Sequence, residues 1–472
     1  MTILRYIFIA FEVVLLFNLL IGVHELGHFL AAKWRGLKVD RFAIWFGKPL
    51  WKKKIGGVEY VLGSIPAGGY VSLPQMATME AIEGDTNTTS APLPNVSPLD
   101  KIIVAFAGPL FSFGLACTFA VIVWVVGKPA NEVDNNTQIG WVDPQGPAAK
   151  AGLLPGDTIL EVDGHPVHHF DAISQDSVKW RIITSEGPNI PIKYERAGQV
   201  AMALPVPIHR PTKWYERKSL RQIMILPATP SIILDIASNS PAALAGLKSG
   251  DEITALNGQH IYSFDPILDL QESWTNRPPQ PMILTIKRGA EQFDRKLLAV
   301  RPLQPTNSPP LIGILSLQVE TNVSLLHPNP ADQIQTSVGQ IMSTFQTLFS
   351  PKSDIGVQQL GGAVMIIRVY SNLFQSDDGW RRVLWFSVVM NVNLALLNLL
   401  PLPVLDGGHI LLSVIEFVRR RPVSTRILQV IQNGFAAMLI GLMLYLAFFD
   451  TGDWVRSARA DRDVPVVFAP NK

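Results

Sequence analysis

The chain has 472 residues, 48% of them hydrophobic, with a mean hydropathy of +0.23 and a formal charge of +2. That hydrophobicity exceeds what a soluble chain of this size carries, and the near balance of charge gives no ground for a nucleic-acid partner. A single cysteine, Cys117, excludes internal disulfides and any cysteine-built zinc site.

In chain order, four segments are long enough to cross a hydrocarbon layer, which takes roughly 20 apolar residues: 4–34, 102–126, 383–400 and 427–449. The first follows Arg5 like a signal peptide, but its apolar core is too long and no small-residue cleavage site follows, so a retained anchor is expected. Near its end stands His24-Glu25-Leu26-Gly27-His28. Histidines four apart share one face of a helix and can grip one zinc ion, with Glu25 placed between them to act on water.

The stretch 35–100 follows. Its basic residues, Arg35, Lys38, Arg41, Lys48, Lys52, Lys53 and Lys54, mark the cytoplasmic side, and Arg419, Arg420, Arg421 and Arg426 mark the same side between the last two spans. The N-terminus, the central domain and the tail 451–472 then lie outside. Val58-Glu59-Tyr60-Val61-Leu62 and Gly69-Tyr70-Val71-Ser72-Leu73 read as a β-hairpin dipping into the membrane, whose edge could pair with an unwound peptide. An ordinary surface hairpin fits the same residues. The stretch 84–98, rich in Thr, Asn, Ser and Pro, reads as a flexible loop.

After the second span (101–127) the chain repeats itself. Pro147-Ala148-Ala149-Lys150-Ala151-Gly152-Leu153 and Gly156-Asp157 recur as Pro241-Ala242-Ala243-Leu244-Ala245-Gly246-Leu247 and Gly250-Asp251. A short helix ending at glycine, a Gly-Asp turn and a strand resemble PDZ domains, over 130–208 and 226–304. That resemblance implies binding of extended peptides; two small β-rich covers are the plainer reading. An amphipathic surface helix is expected in 350–377, then the third span with its extension (380–410), and the fourth (426–450).

Two histidines leave zinc short of a protein ligand. The best candidate ends the third span, in Asn398-Leu399-Leu400-Pro401-Leu402-Pro403-Val404-Leu405-Asp406-Gly407-Gly408: the prolines stop the helix and predict an extended path, and Asp406 is a carboxylate in apolar surroundings. His409 is a weaker candidate. Asn18, Asn391 and Asn393 read as interhelical hydrogen-bonding groups, and His165, His168 and His169 as solvated.

His24-Glu25-x-x-His28 together with Asn398-x-x-Pro401-x-Pro403-x-Leu405-Asp406-Gly407 resembles the site-2 protease family of intramembrane zinc metalloproteases. Four spans with two PDZ domains between the second and third are similar to its sigma-E-regulating branch. The resemblance implies an α-helical membrane protein, with four transmembrane helices and a reentrant β-hairpin region, carrying two periplasmic PDZ domains and sitting in a bacterial inner membrane. It implies Zn2+ held by His24, His28 and Asp406, Glu25 as general base, and substrate contacts from Asn398 and from Gly68, Gly69 and Tyr70. The implied substrates are single-span membrane proteins, namely an anti-sigma factor of the envelope stress response and remnant signal peptides. Gly108-Pro109 matches a family pair; Leu360-Gly361-Gly362 departs from the family's usual Ser-Gly-Pro. The competing class is a non-catalytic membrane scaffold with a structural zinc. A transporter is disfavoured, because no repeated halves are visible among the spans.

Overall fold

The computed structural model describes residues 3–76, 96–130, 136–170, 174–318, 324–420, 425–460 and 465–470. The loop expected at 84–98 lies outside them up to residue 95, as does Arg421. The chain forms two compact units: residues 1–129, 325–342 and 360–451 make the first, and residues 130–324, 343–359 and 452–472 the second.

The first unit is built on helices. α1 (Ile3–Trp34) leads to four strands, β1 (Arg41–Phe46), β2 (Trp51–Ile55), β3 (Val58–Leu62) and β4 (Ile65–Ser72), and then to α2 (Pro98–Val126). Ser97 caps α2, accepting from the amide of Asp100 at 3.1 Å, and Pro98 occupies the first helical position, where no amide is needed. Later come α3 (Pro330–Phe349), α4 (Ala363–Gln375), α5 (Gly379–Asn398), α6 (Asp406–Arg419) and α7 (Thr425–Ala460).

Among the described residues, three helices are long and apolar enough to cross a membrane: Ile7–Trp34 within α1, Pro98–Val126, and Ile427–Arg459 within α7. The expected third span does form a helix, α5, but Arg381, Arg382, Asn391, Asn393 and Asn398 interrupt its apolar run and keep it outside that set. The surface helix expected in 350–377 is α4, entered at Gly362. α3 has no counterpart in the sequence reading.

The expected hairpin is a four-stranded sheet in the order β2-β3-β1-β4. β3 and β4 do not pair with each other: β1 lies between them, parallel to β3 and antiparallel to β4. The reading missed β1 because Arg41-Phe42-Ala43-Ile44-Trp45-Phe46 alternates only weakly in polarity. The buried face of the sheet region packs on α1 and α2 in one cluster that includes Phe29, Ala32, Val39, Val71, Leu73 and Val104. A second cluster, Leu20, Phe119, Ala120, Val123 and Val388, joins α1, α2 and α5.

The second unit holds the duplication as two separate cores, one around Ile139, Leu153, Ile159, Val178 and Ile192, the other around Ile233, Leu247, Ile253, Ile267 and Met282. The two copies share details. Arg196 binds Asp157 through Nε (2.6 Å) and Nη2 (2.7 Å) and donates to the Gly152 carbonyl. Arg288 does the same with Asp251 (2.6 and 2.7 Å) and the Gly246 carbonyl. Each copy is closed by a strand that follows it in sequence: Ile225–Pro227 pairs with Ile139–Val142, and Ile314–Leu317 with Ser231–Ile236. The tail returns to the second copy, where Val467 pairs with Gln304 and Phe468 is buried.

Candidate metal centre

His24 and His28 occupy successive turns of α1, and both are buried. α2 passes so close that a Cβ on Gly27 would meet the Ala107 carbonyl and, at 2.9 Å, the Phe111 ring. On the facing side, a Cβ on Gly108 would meet His28 Nε2 and, at 2.9 Å, His24 Cε1. Glycine at both positions is what lets the two backbones approach.

The outer nitrogen of each imidazole is occupied. His28 Nδ1 donates to the Val104 carbonyl at 2.8 Å, and His24 Nδ1 lies 3.0 Å from Ser112 Oγ. An acceptor-only carbonyl demands a proton on His28 Nδ1, which leaves Nε2 with its lone pair. The two Nε2 atoms stand 3.2 Å apart and point at the same place.

Asp406 completes the group. The sequence reading put it on an extended path; the structure corrects this. After α5 ends at Asn398 the chain makes tight turns, with Leu402 N–H on the Leu400 carbonyl (2.7 Å) and Leu405 N–H on that of Leu402 (3.0 Å), and Asp406 is the first residue of α6. Gly407 and Gly408 make the turn possible, since a Cβ on either would strike the carbonyls of Leu399 or Leu402. Asp406 is buried; Oδ2 lies 3.2 Å from His24 Nε2 and Oδ1 3.3 Å from His28 Nε2. The ligand atoms of all three residues fall within 4.8 Å of one another, which among the described residues is true of this His/Asp group alone.

Glu25 lies half-buried beside them, accepting a hydrogen bond from the Val71 amide of β4. β4 is an outer strand of its sheet, and the Cβ position of Gly69 is 3.4 Å from Glu25 Cγ. Gly68, at φ +99°, faces the ring of Phe46, which stacks on Tyr70 at 5.8 Å. The Tyr70 hydroxyl accepts from Arg41 at 3.1 Å. Asn398 Nδ2 is 3.4 Å from His24 Nε2.

The model for peptidase family M50 matches residues 12–442. The chain belongs to peptidase family M50. Protease RseP of Yersinia pestis is 28% identical over 450 residues, covering 92% of this chain and 96% of its own. Regulator of sigma E protease of Haemophilus influenzae is 28% identical over 446 residues, covering 91% and 96%. Among solved structures, the PDZ domain of an SdrC-like protein from Listeria innocua covers 20% of this chain and 94% of its own, at 24% identity and a TM-score of 0.15.

This M50 chain is a zinc metalloprotease, and its buried group fits the metal. Two imidazoles with their outer nitrogens engaged and a carboxylate make a three-ligand donor set of the catalytic kind. Asp406 Oδ2 is buried without a hydrogen-bond donor, as an oxygen meant for a cation would be. The sequence reading missed Ser112 and the Val104 carbonyl, and had Gly108 only by resemblance. The available signal was helical spacing: Val104, Gly108 and Ser112 are each four apart, on the α2 face that meets the histidines.

Proposed function

We propose that this protein hydrolyses a peptide bond inside the membrane-spanning segment of single-span membrane proteins. The observation that carries the reading is a buried His-His-Asp group, based on a helix apolar enough to cross a membrane, with the outer strand β4 lying against Glu25. His24, His28 and Asp406 would hold the zinc, which would supply Lewis acidity toward a carbonyl and toward water. Glu25 accepts the proton of the attacking water and returns it to the leaving nitrogen. A helical substrate hides its scissile carbonyl in its own hydrogen bonds, so it must unwind, and each freed backbone group then costs several kcal/mol (roughly) unless paired. The open edge of β4 at Gly68, Gly69 and Tyr70 receives the unwound strand, and Asn398 holds a substrate backbone group beside the metal.

On this reading α5 is a fourth span, crossing beside α1 and α2 with its asparagines turned toward protein; Asn391 is fully buried, its Nδ2 donating to the Ser387 carbonyl at 2.8 Å. The basic residues of 33–54 face the cytoplasm of a bacterial inner membrane, with the active site toward that side. The repeats 130–208 and 226–304 are PDZ domains in the periplasm. They gate access, excluding substrates with bulky folded domains and admitting trimmed ones. An anti-sigma factor of the envelope stress response is one substrate, in keeping with the sigma E regulation that the name of the Haemophilus influenzae relative states; remnant signal peptides are a second class.

Replacing Glu25 with Gln abolishes cleavage of a single-span reporter in liposomes while zinc content stays near one per chain. Cleavage at the wild-type rate in that variant sinks the assignment of the base.

A further inference from the structure

One residue of the sheet stands in a conformation that its side chain does not favour. Trp45 has φ +72°, in the left-handed region that bulky residues rarely enter. It sits where the register of β1 on β4 shifts: Ile44 pairs with Gly69 and Phe46 with Ile65, so β4 carries two extra residues within Pro66-Ala67-Gly68, and Trp45 is the single β1 residue opposite this bulge. Its side chain is anchored: indole Nε1–H donates to Asn18 Oδ1 on α1. The Asn18 amide is itself fixed, with Nδ2 donating to the Val14 carbonyl at 2.6 Å, which leaves Oδ1 directed away from its own helix. A helix that is apolar around this point thus carries one amide whose oxygen is committed to the sheet.

The connection runs on to the chemistry. Asn18 stands six residues before His24, roughly 9 Å along the helix axis. β1 pairs with β4 directly beside the bulge, Ala43 with Tyr70 and Ile44 with Gly69, and Gly69 lies over Glu25. A shift of Trp45 relative to Asn18 therefore moves the edge of β4 relative to Glu25.

We propose that Trp45 and Asn18 are positioning residues: their hydrogen bond sets where the outer edge of β4 stands over Glu25, and so which substrate peptide bond is presented for cleavage. This rests on the reading of β4 as the strand that receives substrate. The indole does not touch the reacting atoms; it acts through β1, which pairs with β4 beside the bulge, and a bulge in β4 re-aims that strand next to the active site.

The test uses the full chain in liposomes with a single-span reporter, and reads kcat, KM, zinc content and cleavage position by mass spectrometry. Trp45→Gly keeps the backbone angle without strain and removes the indole; Trp45→Phe keeps an aromatic ring and removes only the N–H; Asn18→Leu removes the acceptor. Each is expected to lower kcat by roughly tenfold to a hundredfold, the cost of a displacement of about 1 Å, and to spread cleavage over neighbouring bonds, with zinc content unchanged. Asn18→Gln, which keeps an amide, should restore a single cleavage site in part. The double variant Trp45→Phe with Asn18→Leu should be no worse than either single one, because both remove the same bond. Unchanged cleavage position in Trp45→Phe and Asn18→Leu, or additive losses in the double variant, overturns the inference. Failure of the wider reading looks different, since Glu25→Gln would then still cleave.

Discussion

Ser112 and the Val104 carbonyl decide how much of each imidazole is available to a metal. A bonded outer nitrogen fixes the ring's tautomer and raises the basicity of the inner one, and removing such a partner typically weakens metal affinity by roughly 10–100-fold. Ser112→Ala should lower zinc affinity within that range, measured by competition with a chelator, while leaving His28 engaged with Val104. Gly108→Ala should do worse, because its new methyl would clash with His28 Nε2. It is expected to yield folded protein with little bound zinc, and full occupancy would refute the close approach. At this scale the sequence was legible where spacing carries chemistry: His24, Glu25, His28 and Asp406 stand out as polar groups in apolar runs. Ser112 and Gly108 do not, since small residues are common in packed membrane helices and only the facing helix shows what they are for.

At the scale of elements, turns and repeats were readable and long-range partners were not. The Gly-Asp turns at 156–157 and 250–251 follow from local sequence. Their arginines lie 39 and 37 residues away, and nothing in Tyr194-Glu195-Arg196 or Lys287-Arg288 announces a buried aspartate as partner. β1 and the start of α6 were missed for a related reason. One pairs with strands on both sides, the other depends on glycines meeting carbonyls from a neighbouring turn. The second copy of the clamp has a consequence for pH. Burial disfavours the charged form of Asp251, yet the hydrogen bonds from Arg288 and from the Lys248 amide outweigh it and hold the carboxyl below the usual aspartate range. A group whose folded value is depressed gives stability that is complete above the unfolded value of about 3.9 and is lost as pH falls through the folded one. The melting temperature of the protein should therefore drop below about pH 4, and the drop should shrink in Arg288→Ala. An equal acid dependence in that variant would remove Asp251 from the account.

Across the whole molecule, the hydrophobic runs gave the spans 4–34, 102–126 and 427–449, because a helix in lipid must satisfy its own backbone and shows it in composition. α5 is less transparent: a helix that meets protein along one side tolerates asparagine and arginine, so composition alone does not separate it from a buried soluble helix. Two outcomes belong to this scale. A chelator should abolish reporter cleavage, with zinc restoring it in the wild type and not in Asp406→Ala. A form in which 130–324 is replaced by a flexible linker should cut substrates that keep a folded outer domain, which the intact chain should refuse. Equal refusal by both forms would remove the gating role from the repeats.

Asn398 and His24 meet although 374 residues of chain separate them, and Asp406 follows Asn398 by a further two turns' length of chain. A ribosome adding roughly 5–20 residues per second needs on the order of 20–80 s to pass from His24 to Asp406. Throughout that interval the nascent polypeptide holds His24, Glu25 and His28 without Asp406. On the proposed ligand set, the chain then holds two of three metal ligands, so no complete metal centre can form before residue 406 has been made.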